Sequence, residues 1–158
     1  MHQLFLLAIG IGIVAGLRSM TAPALVSWGA YLGWLNLHGS PLSFMGSIIA
    51  VIVFTLGAIG ELIADKLPKT PARTAPVGLI ARIIMGGLCG ACLYAAGAAS
   101  PVPGAVFGII GALIGTYAGY HIRRALVTRL NVKDILIAIP EDIIAIVLAF
   151  VIVRSTLS

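Results

Sequence analysis

Apolar residues fill this chain in six blocks, at about 4–17, 23–35, 43–64, 76–99, 104–126 and 135–153, and the short intervals between them alternate between charged and nearly uncharged. A helix rises 1.5 Å per residue, so roughly 20 residues are needed to cross the bilayer hydrocarbon. The last four blocks meet that length and the first two fall short of it. A transmembrane β-barrel would need segments of alternating polarity, and stretches such as 47–56 are apolar on every face. The pattern therefore predicts an all-α, polytopic transmembrane helical bundle of about six spans, the first two short. It would form a single integral membrane domain over residues 1–158.

Threading the blocks through a bilayer as a zigzag sorts the charges. The intervals 18–22, 65–75 and 121–134 share one side, and 36–42 and 100–103 share the other. All five acids and nine of the ten bases then fall at or near the first side, and Arg154 alone does not. By the positive-inside rule that side is cytoplasmic, which puts both termini outside. The amino terminus has no basic stretch before its apolar run, so it reads as a retained span and not as a cleaved signal. Trp28, Tyr31 and Trp34 suit an interfacial belt at the far end of the second block.

Composition agrees with this picture and removes other classes. The chain is 60% hydrophobic and 9% charged, with a mean hydropathy of +1.12; soluble domains carry about 25% charged residues. The net charge of +5 does not point to nucleic acid, because the bases flank apolar spans. Membrane lipids, anionic ones in particular, are the expected partners. Cys89 and Cys92 lie inside a span with no histidine or acid beside them, so no metal or other cofactor is expected.

Two short matches relate the halves 1–66 and 67–158. Thr21-Ala22-Pro23 and Thr74-Ala75-Pro76 each precede an apolar block, and Ala58-Ile59-Gly60-Glu61 resembles Ala138-Ile139-Pro140-Glu141. Internal repeats are common in transporters. In the fifth block Gly104, Gly108, Gly111, Gly115 and Gly119 fall on one helical stripe, a packing seam of the small-xxx-small kind. Gly86, Gly87, Gly90 and Gly97 of the fourth block suggest a partner for it. The pattern leaves open whether the seam is internal or joins subunits, and a homo-oligomer is expected.

The candidate chemistry lies with ionisable residues inside or beside spans. Glu61 falls about one turn before the polar end of the third block, and Glu141 and Asp142 about two turns into the sixth. Arg82 is about two turns into the fourth, and Arg18 ends the first. Charges at that depth cost several kcal/mol, about 3 on insertion scales, unless paired or wetted. Glu61, Arg82, Glu141 and Asp142 are therefore expected at one level, either as a structural ion-pair cluster or as a polar site. Thr21 and Thr74, each two residues before a proline, read as caps of helix starts able to hold an anion. Lys66, Lys69, Arg73, Arg123 and Arg124 would lie nearby. No Ser-His-Asp or Cys-His arrangement, P-loop, dinucleotide fingerprint or HExxH motif occurs, so the chain is not expected to be an enzyme.

Three strings taken together carry a resemblance: Gly16-Leu17-Arg18-Ser19-Met20-Thr21-Ala22-Pro23-Ala24, Glu61-Leu62-Ile63-Ala64-Asp65-Lys66-Leu67-Pro68 and Arg73-Thr74-Ala75-Pro76. The chain resembles the small bacterial inner-membrane proteins of the domain-of-unknown-function 4126 family. The resemblance implies a multi-pass protein of the inner (plasma) membrane, with Arg18, Glu61, Asp65, Lys66 and Pro68 acting as one site. It implies no activity. The residues themselves favour a small transporter or channel-like protein for an anionic or proton-coupled substrate. Its site would draw on Arg18, Ser19, Thr21, Glu61, Asp65, Lys66, Arg73, Thr74, Arg82, Glu141 and Asp142. The alternative is a non-transporting protein that binds anionic lipid or scaffolds a partner.

Overall fold

The computed structural model describes residues 2–67 and 74–156. They form six α-helices and one 3-10 turn: α1 (His2–Leu17), α2 (Thr21–Tyr31), the turn (Ser43–Gly46), α3 (Ile48–Ala64), α4 (Pro76–Ala96), α5 (Pro101–Leu130) and α6 (Asp134–Ser155). Helices α4, α5 and α6 are long and apolar enough to cross a membrane. α1 and α3, with 16 and 17 residues, would reach only about 24–26 Å, and α2, with 11 residues, about 16 Å.

The third block is not one helix from 43 to 64 as expected. Ser43–Gly46 closes a 3-10 turn, and Ser47 is extended (φ −80°, ψ 149°) with its Oγ accepting from the Ala50 N–H at 3.1 Å. A serine that caps cannot also continue a preceding helix, so α3 starts at Ile48. α2 ends where Gly33 takes a left-handed φ of +77°, and the Gly29 carbonyl accepts from the amides of Trp34 and Leu35. Asn131, at φ 48°, stops α5 in the same way.

α1 and α4 occupy the middle of the bundle, with α5 against one face of the pair and α2 and α6 against the other. The α5 face is packed backbone to backbone. A Cβ on Gly108 would lie 2.1 Å from the Gly86 carbonyl oxygen, and one on Gly104 2.4 Å from that of Gly90. Further along, a Cβ on Gly111 would meet the Ile9 carbonyl at 2.2 Å, and one on Gly115 the Ile13 carbonyl at 2.2 Å. The glycine stripe is thus spent within the chain, on α4 for its first half and on α1 for its second. Thr116 closes the run, its hydroxyl donating to the Ala112 carbonyl at 2.8 Å and reaching the Gly16 carbonyl at 3.3 Å.

The opposite face holds an ordinary side-chain core, in which Ile11, Val14, Val26, Leu93, Ile152 and Val153 are buried together with Cys89 and Cys92. α3 stands outside this arrangement. Its close packing partners are α2 and the 3-10 turn, and Ile49, Val53, Leu56 and Ile63 on it are exposed. One polar bond ties it to α2 along its length, from Trp28 Nε1 to Thr55 Oγ1 at 3.1 Å.

Candidate functional site

The break between α1 and α2 lies among the charges. The amide of Arg18 still donates to the Val14 carbonyl, so α1 finishes there. The chain turns through Ser19 and Met20, and α2 begins at Thr21. Helix starts leave N–H groups without intrahelical partners. Here the acceptor is a carboxylate from another helix. Glu61 Oε1 accepts from the Ser19 N–H at 2.9 Å and from Ser19 Oγ at 2.8 Å, and Oε2 accepts from the Met20 N–H at 2.8 Å. Arg82 Nη2 stands 3.8 Å from the same Oε1. The position where an anion was expected is taken by Glu61's own side chain.

Thr21 does not cap α2. Met20 holds the cap position, no side chain bonds there from within the segment, and Thr21 is buried in the first turn with its hydroxyl unbonded. Thr74 does not cap α4 either, since Ala75 is the cap residue and receives no side-chain bond. At α4, Pro76 opens the helix without a hydroxyl, since its fixed φ suits the first position and it has no N–H to satisfy; at α2 the acceptor is Glu61.

Arg18 is wholly buried and is ion-paired on two sides, to Asp65 at the end of α3 and to Asp142 of α6. Lys66 Nζ reaches the other oxygen of Asp142 at 3.2 Å and also donates to the Leu62 carbonyl. Six charges from four segments thus meet: Arg18, Arg82 and Lys66 against Glu61, Asp65 and Asp142. Three of each sign make the network neutral, which makes its burial tolerable.

Glu141 points another way, toward α5. Successive residues on a helix diverge by about 100°, so Asp142 turns to Arg18 while Glu141 turns to α5, where Arg123 Nη1 lies 3.4 Å from it. Arg123 Nε also donates to Asp134 at 2.8 Å. Sequence reasoning placed Arg123 near the site but missed this second cluster. A signal was present, since Arg123 and Asp134 are eleven residues apart across one short loop. Each of the five acids in the chain is in an ion pair. Lys69, Arg73 and Pro68 lie outside the described residues.

At the other end of the bundle, Arg154 sits over the Trp34 ring, 4.8 Å from its centroid. Phe150 meets the same ring edge-on at 5.8 Å. The one base left apart from the others thus rests on an aromatic face.

The geometry brings together the first two of the three strings that carry the family resemblance, through Arg18, Ser19 and Met20 on one side and Glu61 and Asp65 on the other. The family model for a domain of unknown function, DUF4126, matches residues 5–155. The chain belongs to the DUF4126 family. No curated protein and no solved structure matches it. Within this DUF4126 domain the match runs from α1 into the last turn of α6, so the ion-pair network and the glycine seam both fall inside it.

Proposed function

We propose that this DUF4126 protein is a small membrane transporter for an anionic or proton-coupled substrate, and that α3 is its moving part. The observation that carries the reading is the Glu61 carboxylate held on the amides of Ser19 and Met20, in the turn that leads into α2, beside Arg82. That is an anion site filled by a side chain from the most loosely packed helix of the bundle. α3 touches the rest of the molecule closely through α2 and the 3-10 turn, and Glu61, Asp65 and Lys66 at its end pair with Arg82, Arg18 and Asp142. Protonation of Glu61 removes the charge that Arg82 and the amides hold. An incoming anion competes for the same donors. Either event frees the charged end of α3 and leaves the remaining core intact.

Apolar helices α4, α5 and α6 support a membrane setting, and the surplus of bases at the site end supports a cytoplasmic orientation for it. Side-specific labelling of Ser40→Cys checks that orientation, and reaction from the cytoplasmic side would reverse it. Transport is tested in proteoliposomes carrying a pH-sensitive dye, with chloride, inorganic phosphate and acetate gradients in turn. Glu61→Gln and Asp142→Asn, each verified as helical and monodisperse, are expected to lose the flux seen with the parent protein. Unchanged flux in both variants would sink the proton-coupled reading.

A further inference from the structure

A second feature lies away from the network and does not depend on the transport reading. Beside the charged end, α1, α5 and α6 enclose a groove of about 360 Å³. Ile13, Ile114, Ile122, Leu126, Ile137 and Ile144 line it, and its polar edge is formed by Arg123 and Glu141. Ile114, Ile122, Leu126 and Ile144 are also exposed to the outside, so the groove opens sideways. α5 is 30 residues long, about 45 Å, against a hydrocarbon core of about 30 Å. A groove that begins beside Ile114 and ends beside Leu126 therefore runs from within the membrane to its surface.

The surface end is basic. Between residues 122 and 141 the chain carries Arg123, Arg124, Arg129 and Lys133 against Asp134 and Glu141. Arg123 is committed to the two acids. Arg129 is exposed, and it lies seven residues beyond Ile122, on the same stripe of α5 that lines the groove. Lys133 is the residue at the start of α6. The groove thus has an apolar trough inside the membrane and uncommitted cations where the trough reaches water. Basic pockets of this kind between helices hold anionic lipid headgroups.

We propose that the groove between α1, α5 and α6 is a binding site for one anionic phospholipid, its acyl chain along Ile114, Ala118 and Ile144 and its headgroup phosphate at Arg129 and Lys133. Charge complementarity chooses this occupant over a second copy of the chain, because a symmetric contact here would bring the same bases together.

The test is native mass spectrometry of the detergent-solubilised full chain with equimolar phosphatidylglycerol and phosphatidylcholine of identical acyl chains. One bound phosphatidylglycerol is expected in preference to phosphatidylcholine. Arg129→Gln should reduce that preference about five-fold, the factor corresponding to ~1 kcal/mol per surface base. Ala118→Trp, which fills the trough from an exposed position, should lower retention of both lipids at least about ten-fold; Ala118→Leu, with a smaller loss, replaces it if the tryptophan variant does not fold. Arg154→Gln, at the opposite end, should leave the preference unchanged. Equal retention of the two lipids by the parent protein would overturn the proposal. So would unchanged retention in the Ala118 variants, or a lipid-free dimer that those variants abolish.

Discussion

The α5 seam and the α3 attachment are two opposite ways of holding a helix in an apolar bundle. At the seam, carbonyl oxygens of α1 and α4 lie where side chains of α5 would be, so the contact has no slack. At α3, side chains of one short helix and a few charges at one end do the holding. Lipid offers no hydrophobic drive for helices to associate, so close packing and polar contacts must supply it. The seam uses the first and cannot loosen by degrees. α3 uses the second, and a contact made of charges responds to protons and ions. Rigid core and responsive edge are thereby separated within 158 residues.

Substitutions at the two places should separate them further. The largest effect is expected from Gly108→Val, because the new Cβ would lie 2.1 Å from a backbone oxygen that no rotamer change can move. Overpacking a core commonly costs about 1–3 kcal/mol and more where the backbone must yield; here no folded protein should be recovered by size-exclusion chromatography. Arg18→Ala comes next. It leaves Asp65 and Asp142 facing each other without their shared cation, at a cost of about 3–5 kcal/mol, measured as a lowered unfolding midpoint in detergent.

Glu61→Gln keeps an acceptor for the amides but gives up the charge, and a loss of about 1–3 kcal/mol follows. Hydrogen exchange should rise along α3 and stay unchanged in α5; equal changes in both would erase the distinction between them. The smallest effect belongs to Gly60→Ala, where nothing lies within 4 Å of the added carbon. An alanine in a helix interior is worth about 0.5–1 kcal/mol over glycine, so the midpoint should rise slightly, the reverse of the change at Gly108.

Most of the helices were legible in the sequence because the apolar blocks are continuous and their ends carry proline, glycine or charge, while the capping Ser47 that breaks the third block lies inside it. So was the grouping of Arg18, Glu61, Asp65, Lys66 and Asp142 at one end, since depth along a span follows from counting residues. Direction around a helix does not follow from depth, and this is why Glu141 was expected beside Asp142's partners and instead faces Arg123. The capping of α2 was hidden for another reason. Thr21 has the right residue type next to a proline, but the bond is made by Glu61, 41 residues beyond Met20, and no local pattern reports an acceptor from so far along the chain. The glycine stripe showed that α5 packs closely, while its division between α4 and α1 depends on how three helices are ordered in space.

The two partners of Arg18 also impose an order on biosynthesis. When the α1–α2 hairpin leaves the ribosome, its buried arginine has neither counter-charge. Asp65 arrives after some fifty further residues and Asp142 only with the final helix, 124 positions after Arg18. Until Asp65 arrives, an arginine at the hairpin tip is costly to bury and favours contact with water or lipid headgroups. Asp65 can supply the first counter-charge as soon as α3 is made, but the pairing of Arg18 is complete only when α6 brings Asp142.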